Sequence, residues 1–311
     1  MNSLSRIAVV GAGAVGCFYG ARIARHRSVA FLMRRDFDAV RENGLEVESV
    51  DGDFHLFPVE AHENTETIGP VDLVLVAVKT TANGSLPSLL APLIKPETIL
   101  ATLQNGLGNE EFLASQFPEQ PVVGVLCVVC INRGKPGLIR HLAHGKVELG
   151  EFTNTGVANS VSDLFTEAEI RNRIFEDIAL ARWRKLVWNV PFNGLSIVAG
   201  GIDTEQILSS PELVARTESL MREVIAIAAA SGHEIEDHFV EANLMRTRDM
   251  GPYQPSSLID FLSGNEVEVD SIWSLPLEHA KKHGIETPEL TILRHEIVAA
   301  VASRPEKSLT S

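Results

Sequence analysis

Lys185, Asn189 and Asn193 recur at a spacing of four in the run Trp183-Arg184-Lys185-Leu186-Val187-Trp188-Asn189-Val190-Pro191-Phe192-Asn193. On a helix of about 3.6 residues per turn this spacing keeps them on one face, drifting about 40° at each step. A lysine and two carboxamides among Leu, Val, Trp and Phe make a polar stripe on a helix that otherwise reads as core. Such a stripe makes the three residues candidates for a polar site on that helix face. A solvated helix face is the structural alternative. Pro191 removes one helix hydrogen bond and predicts a kink.

Two further clusters carry polar groups at places where ligands bind. Pro255-Ser256-Ser257-Leu258-Ile259-Asp260 is followed by Gly264-Asn265-Glu266-Val267-Glu268-Val269-Asp270. Ser256 reads as an N-cap and the acids as helix-start residues, and a helix start also presents donors to a carboxylate. Earlier, the apolar runs 72–78 and 98–103 end in Lys79-Thr80 and in Gln104-Asn105-Gly106. Carboxyl ends of parallel strands are where open α/β sheets bind ligands. Each of these residues also has a local reading, Lys79 as a solvated loop lysine and Asn105 as a turn former before Gly106.

Gly11-Ala12-Gly13-Ala14-Val15-Gly16 is G-x-G-x-x-G between an apolar run at 6–10 and a helical pattern at 15–26. Gly11 permits the tight turn, Gly13 lets a pyrophosphate approach the backbone, and Gly16 lets helix and strand pack closely. The helix N-terminus then faces the phosphates. The strand context makes this a dinucleotide-binding fingerprint rather than a chance glycine turn. The second strand, 29–33, runs into Arg34-Arg35. An arginine there suits a 2′-phosphate, whereas an acid suits the ribose hydroxyls of NAD. Asp36 follows one residue beyond the acid's usual place, so NADP(H) is the expected cofactor.

The elements that must position these residues divide into two kinds. Short β-rich runs alternate with helical patterns as far as about residue 174, including 45–50 and 54–60, which flank the turn pair Asp51-Gly52 as in a small hairpin, then 122–131 and a further extended pair at 138–142 and 146–149. That order predicts a parallel sheet with crossover helices. From Asp177 the grammar is helical: a helix towards Ala199, another from Ser210-Pro211-Glu212 to Gly232, and a last one near 288–302. The expected fold is α/β, with an N-terminal Rossmann domain at 1–174 and an all-α C-terminal domain at 175–311.

Bulk properties exclude several classes. The net charge of −14 argues against nucleic acid, whose phosphates demand a basic patch. The longest apolar runs, 71–78 and 122–131, fall short of the roughly 18 residues of a membrane span. A strand within six residues of the N-terminus leaves no room for a secretory leader, so a soluble cytoplasmic enzyme is expected. Cys127-Val-Val-Cys130 has the look of a redox or zinc pair. It lies in a strand-like run, however, with no second ligand pair, and two ordinary strand cysteines and no metal are expected.

Taken together, five ordered features resemble the ketopantoate reductases (2-dehydropantoate 2-reductases) over roughly residues 6–300. They are GAGAVG at 11–16, Arg34 after the second strand, Lys79 after DLVLVAV, Gln104-Asn105-Gly106, and the W-x-K-x-x-x-N-x-x-x-N run with its S-x-L-x-D…E-V-D partner. The segment His141–Gly150 also looks like the family's last first-domain hairpin. The resemblance implies that Lys185 is the general acid and that Glu268 orients it and reaches the cofactor. It implies further that Asn193 and Ser256 hold the substrate's hydroxyl and carboxylate ends, that Asn105 lies near the nicotinamide, that Asn189 lines the same face, and that Lys79 sits by the cofactor. Pro191 and Asp203, where many members carry asparagine, depart from the family pattern. The implied reaction is NADPH-dependent reduction of 2-dehydropantoate to (R)-pantoate, a step of pantothenate biosynthesis. The alternatives are reduction of another small 2-oxo acid and a non-catalytic NADPH-binding regulator; a regulator predicts loss of Lys185 or Glu268, and both are present. The resemblance leaves room for a homodimer.

Overall fold

The computed structural model describes residues 4–304. Its contacts divide the chain into two units that meet in sequence at Ile178 and Ala179, a little beyond the boundary expected after 174.

The first unit runs β1 (Arg6–Val10), α1 (Ala14–Ala24), β2 (Ser28–Leu32), α2 (Phe37–Asn43), β3 (Leu45–Ser49), β4 (Phe54–Leu56), β5 (Glu60–His62) and β6 (Leu73–Val76). It continues with α3 (Leu86–Leu90), β7 (Ile99–Thr102), α4 (Asn109–Gln116), β8 (Val122–Arg133), β9 (Leu138–Glu151), α5 (Ala158–Glu167) and β10 (Asn172–Ile174). All the strands join one sheet in the order β4-β3-β9-β8-β7-β6-β1-β2-β5, with β10 paired to β9. Strands β2, β1, β6 and β7 are mutually parallel. Alternation of side chains feeds two cores. Ile7, Val9, Phe31, Leu73 and Leu75 pack with Phe18 and Tyr19 of α1. Ala8, Val10, Val74 and Val76 pack with Leu86 and Leu90 of α3. Burial on both faces explains why β6 is apolar throughout. Helix α5 and the short β5 and β10 complete the unit without having announced themselves in the sequence pattern.

One expectation is corrected here. The runs 138–142 and 146–149 are not a pair of strands but parts of the single strand β9, which pairs antiparallel with β8 along its length. His144 (φ 68°) and Gly145 (φ 90°) look like a turn in the sequence. They form a bulge instead: the pairing steps from Val128–Lys146 to Val129–His144, leaving Gly145 unopposed. The hairpin is therefore β8–β9. The expected turn at Asp51-Gly52 does join the antiparallel β3 and β4, with Gly52 at φ 112°. Cys127 and Cys130 are both buried in β8.

The second unit is helical: α6 (Ile178–Val198), α7 (Thr204–Ser209), α8 (Pro211–Ala230), α9 (His238–Met250), α10 (Ser256–Leu262), α11 (Leu275–His283) and α12 (Pro288–Ala302). Ser210 caps α8, accepting from the N–H of Leu213 at 3.3 Å, with Pro211 at the first helical position. Asp203 closes a capping box on α7: its Oδ1 accepts from Gln206 N–H at 2.9 Å, and Gln206 Oε1 accepts from its own N–H at 3.0 Å. That accounts for a carboxylate at 203, since a negative charge suits a helix N-terminus. Helices α6 and α12 approach closely at Gly194, where a Cβ would come within 2.7 Å of Leu293 Cδ2. Among the described residues no helix is long and apolar enough to cross a membrane.

Candidate active site

In the first unit, the parallel register of β2, β1, β6 and β7 brings their carboxyl ends to one edge of the sheet. Chain order reverses across β1, with β2 on one side and β6 on the other, which is a topological switch point. Gly11-Ala12-Gly13 leaves β1 at that place. Gly11 has φ 107°, and a Cβ on it would lie 2.4 Å from Val78 N. Gly16 is closed off in the same way, its Cβ position being 2.2 Å from Gly11 O and 3.0 Å from Val9 Cγ1. Gly13 differs. A Cβ there would meet nothing within 4 Å. Gly13 is the N-cap of α1 and no acid follows in the first turn, so the open space at Gly13 lies at the positive end of the helix. This arrangement fits a pyrophosphate.

Arg34 and Arg35 follow β2 and are both exposed. Neither has a side-chain hydrogen bond or ion pair among the described residues. Asp36 is engaged elsewhere, accepting from the Arg133 guanidinium and from Gly137 N–H at 3.3 Å. Lys79 is half-buried and opens the turn Thr80–Ser85 after β6. Asn105 is half-buried after β7, and its carbonyl accepts from Asn109 Nδ2 at 2.9 Å. A relay that no local pattern advertises joins these two loops. Thr102 Oγ1 donates to Gln104 Oε1 at 3.0 Å, Gln104 Nε2 to Asn83 Oδ1 at 2.7 Å, and Asn83 Nδ2 to Asn109 Oδ1 at 3.4 Å. Asn83 and Asn109 thus position the loops that carry Lys79 and Asn105.

In the second unit, α6 carries the stripe. Lys185 is half-buried, while Asn189 and Asn193 are 7% and 1% exposed; two buried carboxamides exclude the solvated-face alternative for most of its length. Asn193 Nδ2 donates to Asn189 O at 3.1 Å, and its Oδ1 accepts from Ser257 N–H at 2.9 Å. That bond docks α10 onto α6. Ser256 is not the N-cap: Pro255 holds that position and Ser256 is the first helical residue, exposed at the helix start. Proline offers no side-chain acceptor, so Asn193 supplies one from a neighbouring helix. Pro191 lies within α6, which continues through it. Near it the indole of Trp273 donates to Val190 O at 3.0 Å. Trp273 belongs to a wide turn, Asp270–Ser274, whose closing bond runs from Leu275 N–H to Asp270 O. Such π turns recur at functional sites. Through Trp273 the segment bearing half-buried Glu268 is anchored to the lysine helix.

Models of two protein families match these units in order. Residues 7–154 match "Ketopantoate reductase PanE/ApbA" and residues 177–300 match its C-terminal domain. The chain belongs to the ketopantoate reductase family. It is therefore an oxidoreductase. It is 38% identical over 300 residues to the 2-dehydropantoate 2-reductase of Nostoc sp., covering 94% of each chain. The crystal structure of 2-dehydropantoate 2-reductase from Geobacter metallireducens GS-15 superposes with a TM-score of 0.92 at 41% identity, covering 95% of this chain and 99% of that one. A D-mandelate dehydrogenase bound to NADH and anilino(oxo)acetate shares the fold, with a TM-score of 0.87 at 20% identity and coverage of 96% and 99%. In this ketopantoate reductase homologue the first family model covers the unit with the glycine loop, and the second covers the unit with the lysine–asparagine helix.

Proposed function

We propose that this protein reduces 2-dehydropantoate to (R)-pantoate with NADPH, with Lys185 as the general acid. The observation that carries the reading is the stripe on α6, where Lys185 stands in line with the buried carboxamides of Asn189 and Asn193. When bound, the dihydronicotinamide supplies the hydride that the ketone carbon accepts. Charge then gathers on the ketone oxygen, and Lys185 Nζ stabilises it and delivers a proton. Glu268 orients the lysine. Ser256, exposed at its helix start, would receive the substrate carboxylate, and Asn105 and Lys79 would lie by the cofactor. The backbone at 11–16 would hold the pyrophosphate, and Arg34 would supply the cation for the 2′-phosphate. The same reading places the enzyme in the cytoplasm.

One observation favours a second reading. Each polar atom of Asn193 already has one partner in the fold, so only one N–H and one lone pair remain to read a substrate hydroxyl, and a plainer 2-oxo acid needs neither. NADPH oxidation separates the two. A site that hydrogen-bonds the hydroxyl rejects an analogue lacking it by a wide margin. 2-Dehydropantoate should then far exceed 2-oxoisovalerate in kcat/KM, and equal rates would transfer the assignment to a general 2-oxo acid reductase.

A further inference from the structure

Asp36 is the carboxylate nearest the place where dehydrogenases hold the adenine ribose hydroxyls. Left open beside Arg34 and Arg35, it would repel a 2′-phosphate and accept from a 2′-hydroxyl. The fold does not leave it open. Its side chain is 14% exposed and lies against the guanidinium of Arg133, the last residue of β8. Its Oδ2 also accepts from Gly137 N–H at 3.3 Å, immediately before β9.

The clamp therefore comes from the tip of the β8–β9 ribbon, although three strands separate β8 from β2 in the sheet. Both ribbon strands pack against α1, which carries the tip to the mouth of β2. The thiol of Cys17 lies in the first turn of α1, with Sγ 3.3 Å from Ala12 O. Burial pushes that thiol up to about 12, while Arg133 pulls it down and Asp36 pushes it up. Asp36 follows Arg34 and Arg35 directly in the chain.

We infer that Arg133 fixes cofactor choice by masking Asp36, acting as a positioning residue that keeps the mouth of β2 cationic. The inference rests on the NADPH reading given above. With the pair closed, Asp36 and Arg133 cancel and the charges of Arg34 and Arg35 meet the 2′-phosphate. Without Arg133 the carboxylate is exposed to the same phosphate, and the balance moves towards a hydroxyl.

The test is a set of dissociation constants for NADPH and NADH, measured on the full chain by nucleotide fluorescence without substrate. Arg133→Ala should weaken NADPH about tenfold, the scale of one uncompensated charge at several ångströms, and should leave NADH unchanged or tighter. Asp36→Asn alone should leave NADPH within about twofold. Asp36→Asn combined with Arg133→Ala should recover most of the lost NADPH affinity, because the two residues act as one unit. Arg133→Gln carries the same comparison if the alanine variant does not fold. Equal weakening of both cofactors, or no rescue in the double variant, overturns the masking role. A wild-type protein that binds NADH as tightly as NADPH overturns the NADPH reading itself, and that result is visible before any variant is made.

Discussion

Asn193 Oδ1 accepts the N–H of Ser257 at 2.9 Å across the contact of α6 with α10. The cap position of α10 is a proline with no side-chain acceptor, so the bond replaces a missing cap. Asn193→Ala is expected to destabilise the protein by about 1–3 kcal/mol, the cost of a lost cap combined with an unpaired buried donor. Asn193→Asp keeps the acceptor for Ser257 but sets a buried carboxylate oxygen against Asn189 O, 3.1 Å from the present Nδ2, and should not restore stability near neutral pH. Thermal unfolding of the three proteins decides this; an unchanged Tm in the alanine variant would remove Asn193 from the architecture and return it wholly to substrate binding.

Lys185→Ala should lower kcat about 10²- to 10⁴-fold, the usual contribution of a general acid. NADPH affinity should hold, since no step of cofactor binding is assigned to this side chain. Near-normal turnover would exclude it as the proton source.

Arg34→Ala should weaken NADPH far more than NADH, by about 10-fold or more if a charge-assisted pair to phosphate is lost. A matched loss for both nucleotides would make Arg34 an ordinary surface arginine and shift attention to Arg35.

The glycines of the loop are separable. Gly13→Ala meets no protein atom within 4 Å, so the variant should fold with near-normal Tm and bind dinucleotide poorly. Gly16→Ala would set a methyl 2.2 Å from Gly11 O and should lower Tm outright. If Gly13→Ala binds NADPH as the parent does, the pyrophosphate is not seated at that helix start.

Acid should loosen the start of the first unit. Burial pushes Asp72 up, but hydrogen bonds from Lys95, the Arg6 N–H and Ser5 outweigh it and bring its pKa from 3.8 to about 2. A carboxylate depressed in the folded state stabilises above its unfolded pKa, and the benefit fades as pH falls towards the folded value. The Tm difference between the parent and Asp72→Asn should be full near neutrality and shrink between about pH 4 and pH 2. A difference independent of pH would place its origin in packing.

The parts legible in the sequence were those fixed by local physics. Arg6–Val10 and the glycine turn after it are dictated by neighbours in the chain, and the structure has β1 at those residues. Ser210-Pro211 begins α8 for the same reason. The β8–β9 ribbon was misread because His144-Gly145 satisfies a turn and a bulge equally well, and only the partner strand decides. The pairing of Asp36 with Arg133 joins residues far apart in the chain, so neither segment hints at it. Asn193 was legible as a polar residue on the lysine face. Its service to α10 was not, because that depends on a proline sixty-odd residues later standing where a cap is needed.

The relay through Asn83 has a consequence for how this protein ages. Asn83 precedes Gly84, and Asn105 precedes Gly106; a following glycine leaves its amide nitrogen unshielded, which favours cyclisation and loss of ammonia. Asn83 joins the two halves of the relay, accepting from Gln104 at 2.7 Å and donating to Asn109 at 3.4 Å. Hydrolysis of its amide would leave the first bond in place and set a carboxylate against the Asn109 oxygen. The loops after β6 and β7 would part at that point, on the edge where the dinucleotide is to lie. Stored enzyme should accordingly lose nucleotide affinity before it loses secondary structure, in step with the appearance of acidic charge variants.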